Sequence, residues 1–179
     1  METNKQRKNI LYIVHGAIIA ALYVVLTVIA TSFDLASGAI QVRFSECLTI
    51  MPFFTVAGIP GVTIGCLLAN ILTGCMPLDV IFGTLATFLG AIGTFLLRKN
   101  RFLCTFPPVI TNMLIVPFVL KYVYGVEGAI PFLMLTVGAG EIITCVIFGQ
   151  VLISLLLPLR NKLFGNGPEA VKKKKRAKL

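Results

Sequence analysis

The chain has 179 residues, of which 57% are hydrophobic and only 13% charged, against about 25% charged in an ordinary soluble domain. Its mean hydropathy is +0.94. A water-soluble globule of this size cannot bury that much apolar surface, which excludes a soluble enzyme and a disordered chain alike.

A membrane-spanning helix takes roughly 20 residues, so the length allows about six spans beside short polar ends. Residues 1–9 read as a polar N-terminus, 10–163 as the membrane domain and 164–179 as a basic, disordered tail. The first apolar run, Ile10 to Thr31, follows Lys5, Arg7 and Lys8; it is too long for the core of a signal peptide and reads as a span. Phe33 to Ser45 is a break that carries Asp34, Gly38, Gln41 and Arg43. Glu46 to Gly58 reads as a short second helix ending at a turn around Pro60, and Gly61 to Cys75 as a short third. Leu78 to Leu97 is the fourth. The fifth, Phe102 to Tyr122, is interrupted by Pro107, Pro108 and Pro117, and the sixth runs from Ile130 to Leu157. The expected fold is an all-α integral membrane bundle of six helices.

The net charge of +9 is confined to the flanks. With both termini in the cytoplasm, fourteen of the sixteen basic residues fall on the cytoplasmic side: those before Ile10, Arg98, Lys99, Arg101, Arg160, Lys162 and the run from Lys172 to Lys178. Only Arg43 and Lys121 fall outside. That is the bias expected of a bacterial plasma-membrane protein with its termini inside, not of a nucleic-acid-binding face.

The informative residues are then the polar ones within apolar runs, because a mid-bilayer carboxylate costs about 2.5–3.5 kcal/mol and needs a reason. Glu141 lies well inside the sixth run, beside Gly138 and Gly140, which open space next to it. Glu46 and Asp79 begin the second and fourth helices at the outer end. Asn70 lies on the third, in a stripe with Thr63, Cys66 and Thr73, and Asn112 on the fifth. Together they describe an outward-facing polar pocket, with Arg43 positioned to fold back onto Glu141. For Glu46 and Asp79 a simpler role is first-turn acids favoured by the helix dipole; for Asn70 and Asn112 it is hydrogen-bond glue between helices. On the first helix Gly16, Ala17, Ala20 and Ala21 form a small-residue face, which serves either a partner helix or packing within the chain. The stripe Gly83, Ala86, Gly90 and Gly93 reads as internal packing.

Five cysteines without a CxxC pair read as free thiols. His15 is the single histidine, so no metal site is expected. P-loop, GxSxG and HExxH motifs are absent, which leaves the chain without the tools of an ATPase or hydrolase and without an expected cofactor.

The segments Gln41-Val-Arg-Phe-Ser-Glu-Cys-Leu-Thr49, Met51-Pro-Phe-Phe-Thr55, Ile59-Pro-Gly61 and Gly65-Cys-Leu-Leu-Ala-Asn70 resemble the QueT family, small substrate-binding (S) components of energy-coupling-factor (ECF) transporters for queuosine precursors. Asp79-Val-Ile-Phe-Gly-Thr-Leu-Ala-Thr87 continues the likeness, and Ala17-Ile-Ile-Ala-Ala21 resembles the AxxxA contact of S components. The resemblance runs from about Ile10 to Leu163. It implies a six-helix S component that docks, through its first helix, on a T subunit carrying two ATPases. The implied substrate is a 7-deazaguanine: queuine, preQ1 or preQ0. Such a base presents a ring N–H and an amine side by side, and a carboxylate accepts both. On that basis Glu141 is expected at the base edge and Glu46 or Asp79 at the side-arm ammonium of queuine or preQ1. Asn70 and Asn112 would meet the remaining polar atoms, and Phe53 or Phe132 would either stack on the ring or simply pack in the core. The alternatives are a stand-alone secondary transporter with Glu141 as proton relay, and a structural membrane protein without a ligand.

Overall fold

A computed structural model describes residues 2–33 and 43–164. Asp34, Gly38 and Gln41 of the expected break, and the basic tail from residue 165, lie outside the described residues. All regular structure among the described residues is helical: α1 Glu2–Ser32, a 3₁₀ segment Phe44–Phe53, α2 Gly58–Leu72, α3 Pro77–Leu96, a 3₁₀ turn Leu103–Thr105, and α4 Phe106–Tyr122. After α4 come α5 Ile130–Glu141, a π-helical segment Ile142–Phe148, α6 Gly149–Leu156 and the short α7 Arg160–Leu163.

The six apolar runs appear in the expected order, but four of them are long and apolar enough to cross a membrane: Asn9–Ser32, Pro77–Leu96, Leu103–Tyr122 and Ile130–Leu156. The other two are short. At about 1.5 Å per residue α2 reaches only ~22 Å, below the ~30 Å of a hydrocarbon core. The segment expected as a second helix is a 3₁₀ stretch of ten residues, eight of them buried. It is a plug inside the bundle, not a lipid-facing helix. Runs of 3₁₀ longer than three or four residues are uncommon, and this one is held from every side. Leu48, Ile50, Met51 and Phe53 share a core with Ile19 and Tyr23 of α1, Val62 and Cys66 of α2, Ala91 of α3 and Ile153 of α6.

The prolines of the fifth run do not break it. Pro107 and Pro108 sit in the first turn of α4, where a missing N–H costs nothing, and Pro117 is buried inside a continuous helix. The sixth run is continuous too, but its turns widen to the π pattern immediately after Glu141.

Glycines set the helix spacing. A Cβ on Gly65 would lie 2.7 Å from Tyr23 Cβ and 3.1 Å from Ala20 Cα, and one on Gly61 would lie 3.0 Å from the Gly16 carbonyl oxygen. Gly16 and Ala20 therefore pack within the chain, against α2. Ala17 and Ala21 are exposed and line an apolar groove of about 520 Å³ with Ile13, Ile64 and Leu68. On α3, Gly90 meets Pro108 in the same way, as expected of internal packing. Overpacking such a contact typically costs about 1–3 kcal/mol, so Gly65→Ala should lower the unfolding temperature of the purified protein. An unchanged melting curve would show that α1 and α2 have room to separate.

Candidate functional site

Tyr23 brings α1 to the site. It is 1% exposed, and its hydroxyl donates to Glu46 Oε1 at 2.5 Å. Glu46 is in the first turn of the 3₁₀ segment and is 2% exposed. It is the first-turn acid that its position suggested, but it was expected near the outer surface and is enclosed, with its side chain bonded across to α1. Thr27 fixes the same junction by donating to Ser45 Oγ at 2.8 Å. Glu46 Oε2 is buried without a hydrogen-bond partner. A buried acceptor left unpaired costs roughly 1–3 kcal/mol, and more when charged.

Glu141 closes the site from α5. Its Oε1 accepts from Asn112 Nδ2 at 2.9 Å and its Oε2 from the Cys145 thiol at 3.1 Å. Asn112 thus does join two helices, and it does so through the carboxylate. The π turn after Glu141 holds Cys145 over it, and such widened turns recur at functional sites. One donor atom each from Glu46, Glu141 and Cys145 lie within 4.8 Å of one another.

Arg43, Glu46, Gly83, Asn112 and Glu141, with Val116 and Val137, line one cavity of about 10 Å³, roughly the space of a single water molecule. Arg43, half-buried, is the cation of this group. Burial opposes its charge, but Asp79 above all, with smaller contributions from Tyr23, Cys66 and Glu46, holds the guanidinium protonated beyond its usual range. A Cβ on Gly83 would meet Asn70 Nδ2 at 3.2 Å and Asp79 Oδ1 at 3.3 Å, so Gly83 joins the Glu46–Glu141 cavity to a second polar pair. Asn70 is 2% and Asp79 4% exposed.

Four of the expected residues, Arg43, Glu46, Asn112 and Glu141, therefore surround one cavity, and Asn70 and Asp79 adjoin it. Phe53 does not reach it: its ring packs edge-on against Phe54 at the far end of the 3₁₀ segment, with Arg160 5.9 Å above it. Phe132 is 58% exposed on α5. Sequence reasoning passed over Tyr23 and Tyr124, and it read Gly83 as internal packing and Cys145 as a free thiol, neither of them at the site. Tyr23 and Cys145 look like ordinary apolar filling in the sequence; a polar tip amid an apolar run was the one signal available for Tyr23.

Tyr124 bounds the Asp79 end. Its hydroxyl donates to Asp79 Oδ2 at 2.8 Å and accepts the Met76 N–H at 3.2 Å, tying the α4–α5 connection to the start of α3.

A family comparison decides the class: residues 13–158 match the model of the QueT transporter family. The chain belongs to that family. Of individual relatives, the queuosine precursor transporter QueT of Lactococcus lactis subsp. cremoris (strain MG1363) is 45% identical over 75 residues. That stretch covers 42% of this chain and 44% of the relative, so the match spans less than half of either. No solved structure matches. Family and apolar helices together make this a multi-pass bacterial membrane protein of the transporter class.

Burial and the neighbouring Asp79 push the Tyr124 phenol up to about 12. The neutral phenol is the form the fold favours, so this contact stabilises fully below the ordinary tyrosine range, near 10. It is lost as pH rises through about 12. The difference in tyrosinate absorbance between wild type and Tyr124→Phe should titrate near 12, and Asp79→Asn should bring it down. A difference signal centred near 10 in wild type would show that the bond to Asp79 is not formed.

Proposed function

We propose that the chain is the substrate-binding S component of an ECF-type importer and captures a queuosine precursor of the 7-deazaguanine class at the Arg43–Glu46–Asn112–Glu141 cavity and its Asn70–Asp79 neighbour. The observation that carries the reading is the convergence, from the 3₁₀ segment, α4 and α5, of two buried carboxylates, a carboxamide and a guanidinium on one cavity. A membrane protein keeps such groups away from lipid for a functional reason, and the named relative transports a queuosine precursor. The cavity is too small for a bicyclic base, so capture requires the surrounding elements to part.

The chain binds but does not energise. It lacks a P-loop, so a separate T subunit and two ATPases supply the work. The docking face is the exposed part of the small-residue stripe, Ala17 and Ala21 in their apolar groove, while Gly16 and Ala20 are already used against α2. Both termini lie in the cytoplasm. The basic-residue count supports this whether the two short helical segments are counted as crossings or not, because the number of crossings stays even.

Purified protein should be stabilised against heat by at least one of queuine, preQ1 and preQ0. Glu141→Gln should weaken binding of preQ1 at least about tenfold, roughly 1.4 kcal/mol. A folded protein that binds none of the three sinks the assignment. Ala17→Trp should abolish copurification with the T subunit and leave precursor affinity within about twofold of wild type. Uptake that persists in a host without ECF modules would favour a stand-alone transporter with Glu141 as proton relay instead.

A further inference from the structure

The geometry points to the orientation of the ligand, and with it to a charge requirement: the Glu46–Glu141 pair is an ammonium subsite that receives a protonated side arm, and the base edge faces Asp79 and Asn70 across Gly83. This rests on the binding reading above and reverses the assignment expected for Glu141 from its position in the sequence.

Three observations carry it. The first is distance. The donor edge of a 7-deazaguanine and the amine of its side arm lie across a fused bicycle from one another. Two carboxylates serving those two ends would be separated by two hydrogen bonds of about 2.9 Å each plus the ring. Ligand atoms of Glu46 and Glu141 lie within 4.8 Å of each other, so both serve the same end.

The second is the open acceptor. Glu141 uses one oxygen on Asn112 and the other on Cys145, and Glu46 uses Oε1 on Tyr23. Glu46 Oε2 alone has no partner, in a side chain 2% exposed that lines the cavity. One unpaired oxygen beside a second carboxylate suits a point donor with several N–H bonds, which describes an ammonium.

The third is charge. Arg43 is shared among three acids, Asp79 first, so full ionisation of Glu46, Glu141 and Asp79 leaves two negative charges in excess of it. A ligand cation offsets part of that excess and an uncharged ligand does not. Asp79 and Asn70, by contrast, present a carboxylate and a carboxamide side by side against the bare Cα of Gly83. That pair matches an edge with adjacent donors and a carbonyl.

The test uses the full chain, purified and lipid-reconstituted, with preQ1 as the ammonium probe and preQ0, which carries an uncharged nitrile in its place. Wild type should bind preQ1 at least about tenfold more tightly than preQ0. Glu46→Gln, whose side-chain carbonyl still accepts from Tyr23, should bring preQ1 down to the preQ0 level and leave preQ0 within about twofold. Asp79→Asn should weaken both ligands by a similar factor. If Glu46→Gln does not fold, Glu141→Gln is expected to show the same loss of discrimination. Equal wild-type affinity for the two ligands overturns the ammonium subsite, and so does a Glu46→Gln protein that still prefers preQ1. Loss of preQ0 greater than loss of preQ1 in that variant restores the opposite orientation. If neither ligand binds wild type, it is the binding reading itself that falls.

Discussion

The hydrogen bond from Tyr23 to Glu46 is the interaction on which the rest of the structure depends. An acid enclosed this completely is expensive unless it is paired, and Tyr23 is what makes the position tenable. Tyr23 in turn stands where it does because Gly65 lets α2 lie against it. The two together lock the 3₁₀ segment between α1 and α2, and that segment supplies much of the apolar core. A polar contact and the hydrophobic plug therefore stabilise the same short stretch of chain, one at each end. Glu46 stands near its start and Phe53 closes it.

This arrangement explains how a small bundle keeps two carboxylates away from lipid. The outer faces of α1 and α3 carry exposed residues such as Ile13, Val25, Ile81 and Phe82, as a lipid-facing surface requires. The acids point the other way, into space opened by Gly83 and bounded by Val116 and Val137. Three of the four carboxylate oxygens of Glu46 and Glu141 find a partner there, and Glu46 Oε2 does not. Tyr124 ties the start of α3 by bonding Asp79, and Arg101 ties the α3–α4 connection to α6 by donating to Gln150 and Ser154. The two ends of α3 are thus both held by side-chain bonds.

Most of the fold was legible from hydropathy and charge. The order of the six apolar runs, the helical class and the unbroken fourth run follow from run length and from the placement of basic residues. The polar residues worth attention were legible too, because Glu141, Asn112 and Asn70 stand out against apolar neighbours. The character of the second run was not. Phe44–Phe53 has the composition of a buried helix, and its 3₁₀ winding comes from packing on all sides, which no local pattern encodes. The same holds for the π turn after Glu141. The small-residue face of α1 read as one stripe, and all four members border the outer groove, yet Gly16 and Ala20 are also packed against α2, because helical spacing sets the face and only the neighbour decides who fills it.

By itself, then, the sequence determined that the chain lives in a membrane and that a few polar residues are too costly to be incidental. Those conclusions rest on transfer free energies, which are properties of single residues and runs. Only the tertiary structure decided that Glu46 is enclosed and not at a rim, that it and Glu141 share one water-sized cavity, and that Phe53 is elsewhere. These are matters of which helix faces meet, and they depend on contacts between residues such as Tyr23 and Glu46 or Glu46 and Cys145, far apart in the chain and invisible to any periodicity along it.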